Sequence, residues 1–290
     1  MSIIPYHDRD GHIWMNGEFV PWREAKVHFL THALHYGSGV FEGIRCYGGK
    51  IFKLTEHSQR LIEGCKMMDM KISWTIDQIN RACLDTISKN NISDGYLRPL
   101  VWRGSEQMGV TAQHSKIHLG VAAWEWPSYF PAEMREKGIR LKTSRWRRPS
   151  PESAPVHAKA IGLYMICTLS KHEAENAGYH DAMMLDYRGR VAELTGANFF
   201  MVQNGELHTP DPDCFLKGIT RQTVIDLARK NNIKVIERPI MPDELKSADE
   251  CFATGTAAEV TAIGEIDGHA YKVGPVTRLL RDAYEKLVRS

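Results

Sequence analysis

The sequence contains no pair of cysteines at the short CxxC spacing that zinc sites and redox motifs use. Scattered cysteines of this kind argue against a zinc site, a redox motif and a disulfide framework. They are expected to be small core residues. The 290 residues include six of them: Cys46, Cys65, Cys83, Cys167, Cys214 and Cys251.

Long apolar runs, a charge excess and repeats are also absent. No run of about eighteen apolar residues could span a bilayer, and the segment beginning Met1-Ser2-Ile3-Ile4-Pro5 lacks the basic start and apolar stretch of a signal peptide. The 37 basic and 35 acidic residues give a formal charge of +2, so no overall field favours nucleic acid or a membrane surface. We expect a cytoplasmic protein whose partner is a small molecule.

The length and composition predict two domains. A chain of 290 residues with 43% hydrophobic residues can bury one large core or two modest ones, and two is the commoner division at this size. Two prolines and four aromatic residues interrupt any regular pattern over 124–131. The predicted organisation is an N-terminal domain over 1–124, an interdomain loop over 125–136 and a larger domain over 137–290.

Turn residues predict several hairpins. Asn16-Gly17 and Asn204-Gly205 each lie between apolar-rich runs and suit a type I′ turn. Gly48-Gly49 and Asp267-Gly268 predict two more.

Helix signals lie between these hairpins. Thr55 and Thr220 are candidate N-caps, Thr75 with Gln78 reads as a capping box, and Pro275 fits a first helical position. A helix over 163–177 should end at a left-handed Gly178. Hairpins mixed with capped helices in both halves predict an α+β fold rather than an alternating parallel sheet.

Lys159 stands apart from most of the seventeen lysines because its neighbours are Ala158, Ala160 and Ile161. Apolar surroundings disfavour the charged form and would keep a nucleophilic amine near neutral pH, as a Schiff-base lysine requires. By itself the local sequence favours the more common case, a stem on apolar surface with its head in water.

A candidate carboxylate receiver lies on the strand predicted over 95–102. Residues two apart share a face of a strand, so Tyr96 and Arg98 point the same way. A phenol and a guanidinium together suit a carboxylate, although a surface arginine beside a strand tyrosine fits as well. Pro99 predicts an edge strand or a bulge at this point.

Two small-residue segments expose backbone amides. The helix start at 218–220 and the turn at 254–258 are both suited to an anion, but every capped helix shares that property. The cluster Arg145-Trp146-Arg147-Arg148 is too short for a nucleic-acid surface and is interpreted as a local feature.

Several motifs follow one another in a fixed order. They are HALHYG-x-x-VFEGIR, YLRPL, AKA around Lys159, GRVAELTGANFF, GIT and SADECFATGTAAEVT. This order resembles the branched-chain aminotransferases of the fold-type IV pyridoxal-phosphate class over nearly the whole chain. The resemblance implies two α+β domains, each with a mainly antiparallel or mixed sheet and packed helices, a cofactor between them, and at least a homodimer.

The resemblance also implies roles around pyridoxal 5′-phosphate. Lys159 would hold the cofactor as a Schiff base and move the substrate proton, Glu193 would keep the ring nitrogen protonated, and Tyr164 would hydrogen-bond the ring oxygen O3′. Gly196 and Leu216 would lie against the ring faces. The phosphate would be held by Arg60, Ile219, Thr220 and Thr256.

On the substrate side, the resemblance implies one group of residues that binds the α-carboxylate and a second group that forms an apolar pocket for the aliphatic side chain. The first comprises Tyr36, Tyr96, Arg98 and the Thr256-Ala257 amides. The second comprises Phe41, Trp126, Tyr129 and Tyr164, with Val110 reaching over from a second subunit.

The expected reaction is reversible amino transfer between L-leucine, L-isoleucine or L-valine and 2-oxoglutarate. The alternatives are a D-amino-acid or (R)-amine transaminase, or an aminodeoxychorismate lyase, which share the cofactor site. Trp102-Arg103 and Gln107 depart from the usual family residues. Arg45, or the cluster near Arg148, is the hypothetical receiver of the second carboxylate of 2-oxoglutarate.

Overall fold

A computed structural model describes residues 4–126 and 133–290. Their contacts divide into two units, one formed by residues 4–126 with Ala158–Gly162 and the other by residues 133–157 with 163–290. Lys159 therefore belongs to the first unit, while the domain bounds expected at 124 and 137 stay a prediction.

The first unit consists of one sheet and its helices. Its helices are α1 (His32–Tyr36), α2 (Leu54–Met67) and α3 (Ile76–Lys89), with a 3-10 turn at Trp22–Glu24. Its strands are β1 (His12–Met15), β2 (Glu18–Pro21), β3 (Gly39–Phe41), β4 (Ile44–Tyr47), β5 (Lys50–Ile51), β6 (Gly95–Arg103) and β7 (Ile117–Glu125).

The sheet of the first unit is antiparallel, in the order β2-β1-β7-β6-β4-β5, with β3 also paired to β6. Alternate residues of β6 point to opposite faces. Leu97 and Val101 belong to the buried core that also contains Leu61 of α2 and Ile79 of α3. Tyr96 and Arg98 therefore point to the other face, away from that core.

Local sequence determines several elements of this unit. Asn16 and Gly17 have φ of 53° and 109°, which confirms the predicted turn between β1 and β2. The Thr75–Gln78 capping box at the start of α3 is also confirmed. The Thr55 cap is wrong, because α2 begins at Leu54 after Lys53 in the left-handed region, and Thr55 Oγ1 instead accepts a hydrogen bond from Asn80.

Pro99 does not mark an edge or a bulge, because β6 pairs in regular register with β7 on one side and with β3 and β4 on the other. The ladder to β3 ends at Phe41 and the ladder to β4 starts at Ile44, so Pro99 lies opposite the break between them. Its carbonyl accepts from the Glu42 N–H at 2.8 Å. The Pro99 nitrogen, which carries no hydrogen, faces the same side as this carbonyl. Neither the β3 ladder nor the β4 ladder includes Pro99, so its missing N–H removes no hydrogen bond from them.

The second unit is built on a larger sheet. Its helices are α4 (Glu133–Lys137), α5 (Tyr164–Asn176), α6 (Ile219–Lys230) and α7 (Pro275–Val288), with a 3-10 turn at Pro242–Ser247. Another 3-10 turn, at Ile161–Leu163 just before α5, begins in the segment that belongs to the first unit. Its strands are β8 (Ile139–Arg148), β9 (Asp181–Asp186), β10 (Val191–Leu194), β11 (Asn198–Gln203), β12 (Glu206–Thr209), β13 (Val235–Glu237), β14 (Glu250–Gly255), β15 (Glu259–Ile266) and β16 (His269–Ala270).

The sheet of the second unit is mixed, in the order β10-β9-β8-β15-β14-β11-β12-β13. β8 runs parallel to β9 and β15, and β12 runs parallel to β13. β10 also pairs with β11 through Glu193 and Asn198, which links the first strand of this order to the sixth. Helices α5 and α7 pack on the sheet. The expected α+β fold is confirmed.

Of the helix-end predictions in this unit, two are confirmed and one is wrong. Gly178 is left-handed with φ of 80°, and Pro275 is the first residue of α7, both as predicted. Thr220 is not an N-cap, because α6 begins at Ile219 and is capped by Gly218.

All six cysteines are free and buried, which confirms the prediction that they are core residues. Burial raises the pKa of Cys65 and of Cys83 to about 12, which keeps both thiols protonated. Among the helices of the described ranges, none combines the length and the apolar character needed to cross a membrane.

Candidate active site

The segment that carries Lys159 is attached to the first-unit sheet by its backbone. The Phe41 N–H donates to the Lys159 carbonyl at 3.1 Å, and Val40 and Ala160 form an isolated bridge. Gly64 lets α2 approach closely, because a Cβ there would lie 2.8 Å from Val40. The Lys159 Nζ lies 5.0 Å from the centre of the Phe41 ring. The lysine therefore precedes α5, as predicted.

Burial lowers the pKa of Lys159, and the positive charge of Arg60 lowers it further. Glu42 and Tyr96 act in the opposite direction, and Arg98 again lowers this pKa. Desolvation and two nearby cations thus favour the neutral amine. This is the environment that the local sequence alone did not favour, and it is the one that a nucleophilic lysine needs.

Arg60 is oriented by a buried carboxylate. Its Nε donates to Glu42 Oε1 at 2.7 Å and its Nη2 donates to Glu42 Oε2 at 2.8 Å, while His57 contacts Oε2 at 2.7 Å. The Glu42 side chain is 1% exposed. Arg60 is therefore held at the Lys159 group by a fork of two bonds rather than lying on a polar helix face.

Tyr96 and Arg98 are brought together as predicted. The Arg98 Nη2 donates to the Tyr96 hydroxyl at 3.3 Å, and the guanidinium lies 4.6 Å from the centre of the Phe41 ring. The Arg98 Nε is buried and has no hydrogen-bond partner among the described residues. Only glycine fits at position 43, because a Cβ there would clash with the Tyr96 hydroxyl.

Arg45 joins the same face of the sheet. It pairs in register with Tyr96, and directly opposed residues of antiparallel strands share a face. Arg45 is 2% exposed and lies 5.0 Å from the centre of the Tyr47 ring, and within residues 4–126 and 133–290 its Nε has no hydrogen-bond partner. A buried guanidinium with an unpaired nitrogen is suited to an anion.

Aromatic residues line this part of the first unit. The centres of the Trp124 and Trp126 rings each lie 5.1 Å from the centre of the Tyr96 ring. Trp126 therefore lies beside Tyr96, which is predicted to bind the substrate α-carboxylate. Trp124 is an additional neighbour that the sequence did not single out. Tyr129 lies outside the described residues.

Tyr36 and Val110 lie in a different environment. They are 47% and 87% exposed. Tyr36 stacks on His32 with 4.6 Å between the ring centres, and the His32 ring contacts the Gly109 carbonyl at 2.9 Å. Both residues therefore belong to an exposed surface rather than to the buried group around Lys159.

In the second unit, Glu193 is held from two sides. The Arg148 Nε lies 3.3 Å from Glu193 Oε1, and Asn198 Nδ2 donates to Oε2 at 3.3 Å. Burial alone would lower the pKa of Arg148, but the charge of Glu193, with smaller contributions from Cys167 and Tyr164, raises it. Glu193 is thus a fixed carboxylate rather than a solvated strand residue.

Asn198 also contacts the segment that carries Leu216 and the start of α6. Its Nδ2 also donates to the Leu216 carbonyl at 3.0 Å. A Cβ at Gly218 would lie 2.0 Å from its Oδ1, so only glycine fits before α6. Its register partner on β14 is Thr254. The Glu193 carboxylate, the Leu216 carbonyl and the start of α6 therefore converge on this one side chain.

Two backbone segments with predicted phosphate residues lie next to this group. Ile219 and Thr220 form the first turn of α6, whose cap Gly218 has no side chain to occupy the free amides. The turn at 256–258 follows Gly255, whose Cβ position would be 3.3 Å from the Gly196 carbonyl. In the part of the chain that the structure describes, a Cβ at Gly196 itself would meet nothing within 4 Å, so this residue borders open space there.

Two other sequence features have structural partners. Arg103 donates to the carbonyls of Ala112, Met68 and Asp69, so this departure from the family pattern supports the first-unit core rather than a ligand. In the basic cluster, Arg145 pairs with Glu173 at 3.5 Å and Arg148 with Glu193, which fits a local role.

Residues 39–266 match the family described as Amino-transferase class IV. The chain is 44% identical to a branched-chain-amino-acid aminotransferase of Pseudomonas aeruginosa over 97% of this chain and 94% of the relative. It is 41% identical to the Escherichia coli enzyme of that name, over 94% and 91%.

Solved structures agree. An Escherichia coli branched-chain amino acid aminotransferase superposes with a TM-score of 0.94 at 40% identity, covering 97% of this chain and 95% of the other. The branched-chain amino acid aminotransferase of Thermobaculum terrenum, solved in its PLP form, gives a TM-score of 0.89 at 33% identity, covering 97% and 95%.

The chain belongs to the class IV aminotransferases. Within that family, the resemblance to the branched-chain enzymes that the motifs indicated is confirmed, together with the fold-type IV architecture.

Proposed function

We propose that this chain transfers an amino group reversibly between L-leucine, L-isoleucine or L-valine and 2-oxoglutarate, with pyridoxal 5′-phosphate as cofactor. The observation that carries the proposal is Lys159, a buried lysine whose pKa is lowered by desolvation and by Arg60. The branched-chain names of relatives with over 40% identity support the substrate class.

The side chains present fit this cofactor. Lys159 offers an amine for the aldehyde group of the cofactor. Arg60 offers a cation for the phosphate group of the cofactor. In the second unit, Glu193 offers a fixed carboxylate for the ring nitrogen, and the free amides at Ile219 and Thr220 suit phosphate. When bound, pyridoxal phosphate supplies a carbonyl for the amine and a ring that withdraws electrons from the substrate Cα.

The protein's own residues then handle protons and charge. Lys159 would supply the nucleophilic amine that holds the cofactor's carbonyl carbon, and as a free amine it would carry the proton between the substrate Cα and C4′ of the cofactor. Its lowered pKa suits both tasks, because the amine is free to accept a proton near neutral pH. Glu193 would stabilise a proton on the ring nitrogen, and Tyr164 would donate a hydrogen bond to the ring oxygen.

The sheet face around Tyr96 is proposed to orient the substrate. Tyr96 and Arg98 receive the α-carboxylate with the Thr256-Ala257 amides, since the phenol and guanidinium are already joined at 3.3 Å. Phe41 and Trp126 offer aromatic surface to an aliphatic side chain. Gly196 and Leu216 border the cofactor ring.

Arg45 is proposed to receive the second carboxylate of 2-oxoglutarate. Arg45→Ala is expected to raise the KM for 2-oxoglutarate by about tenfold or more, the value of one lost charge-assisted bond, while the KM for L-leucine changes little. Arg45→Lys, which keeps a charge but not the fork, should fall between the two. An unchanged KM for 2-oxoglutarate in Arg45→Ala would exclude Arg45 from this role.

We also propose a homodimer formed through an exposed apolar surface of the first unit. Large apolar side chains there are 42% to 87% exposed, and a cluster of this kind marks an interaction surface. Val110 would reach the partner's substrate from it. The surface comprises Phe29, Leu30, Leu34, Tyr36, Met108 and Val110.

An amino-donor panel tests the proposed reaction. The cofactor-loaded protein should convert 2-oxoglutarate to glutamate with L-leucine, L-isoleucine and L-valine far faster than with D-alanine or an (R)-arylamine. A matched reaction with L-alanine controls for general L-amino-acid turnover. Faster transfer from D-alanine or the arylamine would replace the branched-chain assignment with one of the neighbouring activities.

A further inference from the structure

A triad of ionisable side chains, Glu42, His57 and Arg60, lies buried beside Lys159 in the first unit. Glu42 Oε2 accepts from His57 Nδ1 at 2.7 Å and from the Gly43 N–H at 3.3 Å, while Oε1 and Oε2 each accept one bond from Arg60. The side chains of Glu42, His57 and Arg60 are 1%, 3% and 15% exposed. Ionised groups this deep in a protein must be paired and hydrogen-bonded.

The protonation states of the triad follow from its surroundings. Burial alone would raise the pKa of Glu42, but the Arg60 charge, together with His57, holds it well below its usual range. Burial lowers the pKa of His57, and together with the charge of Arg60 it outweighs the Glu42 carboxylate, which raises this pKa, so the imidazole is neutral. An ionised carboxylate can only accept, and His57 Nδ1 therefore carries the hydrogen that it donates.

The geometry of the triad fixes Arg60. His57 and Arg60 are three residues apart on α2, so both side chains reach Glu42 from one helix face. Glu42 lies between β3 and β4, where its backbone N–H is bound by Pro99. The imidazole takes one lone pair of Oε2, which leaves the carboxylate in the orientation that receives the Arg60 fork.

We propose that Glu42, oriented by His57, is a positioning residue that aims Arg60 at the phosphate of the cofactor and so gives the protein its preference for phosphorylated pyridoxal. The inference rests on the proposed function, because it takes Arg60 as a phosphate residue. Neither Glu42 nor His57 needs to touch the cofactor for this role.

The test compares the affinity of the cofactor-free protein for pyridoxal 5′-phosphate and for pyridoxal, each followed by absorbance titration. The positioning of Arg60 affects only the binding of the phosphate group. Glu42→Gln and His57→Leu should therefore lower the affinity for pyridoxal 5′-phosphate relative to that for pyridoxal by about tenfold or more. His57→Asn keeps a donor near the Nδ1 position and should retain the ratio within about threefold. Glu63→Gln, an exposed carboxylate on the same helix, is the matched control and should change nothing.

A purely structural role would weaken both ligands equally and leave the ratio unchanged in every variant, which would overturn the proposal. Should Glu42→Gln fail to fold, the His57→Leu and His57→Asn pair decides the question. A wild-type protein that binds pyridoxal as tightly as its phosphate would instead remove Arg60 from the phosphate site, and with it that part of the proposed function. Equal ratios for His57→Leu and His57→Asn would also contradict the role given to His57.

Discussion

Lys159→Arg is expected to abolish amino transfer while the chain stays folded. A guanidinium remains protonated at every working pH and cannot form an imine, so both the nucleophile and the proton carrier are lost. Proton transfer by a positioned group contributes up to about 10⁴-fold by itself, and we expect kcat/KM with L-leucine to fall by at least that factor. The measurement is glutamate formation from L-leucine and 2-oxoglutarate.

A second substitution separates the amine from the side chain that carries it. In Lys159→Ala, added methylamine should restore part of the activity, and more of it as the pH rises and the free amine becomes more abundant. Lys66→Arg, at an exposed position on α2, is the control and should retain full activity. Residual activity above about one tenth in Lys159→Arg would contradict the role assigned to this residue.

The fold was predictable where one residue decides the backbone. Asn16-Gly17 and Asn204-Gly205 form the turns that their positive φ values allow, and Thr75 caps α3 through its own side chain. The prediction of Thr220 as N-cap was wrong because a residue distant in the sequence, Asn198, determines where α6 begins. The carboxamide of Asn198 approaches the chain so closely that only Gly218 fits before α6, and this contact crosses about twenty residues of sequence.

The site shows the same division. The neighbours of Lys159 in sequence did not favour a neutral amine, because its burial and its cationic surroundings come from Phe41, Arg60 and Arg98, which are distant in the chain. Glu42 and Asn198 were missed as well. Glu42 had a detectable signal, since it is one carboxylate within the apolar run Val40-Phe41-Glu42-Gly43-Ile44. Asn198 had none, because its importance lies in contacts made by tertiary pairing.

Glu193→Gln is expected to lower kcat by about 10²- to 10³-fold, equivalent to about 3–4 kcal/mol of transition-state stabilisation. The amide carries no charge to stabilise a proton on the ring nitrogen of the cofactor, so the ring withdraws electrons from the substrate Cα less strongly. The KM for L-leucine should change less than kcat, since Glu193 is proposed to act on the cofactor. Glu206→Gln, which removes a surface partner of Lys234 from the same sheet, is the control.

The pH dependence distinguishes this electronic role from a structural one. As the pH falls, the ring nitrogen takes its proton from solvent without help, so the deficit of Glu193→Gln should shrink at low pH and grow at high pH. A structural role predicts a different pattern, because the substitution leaves the buried Arg148 without its ion-pair partner at every pH. A deficit that is constant across the pH range, with a matching loss of thermal stability, would therefore assign Glu193 to holding Arg148 rather than to the ring nitrogen.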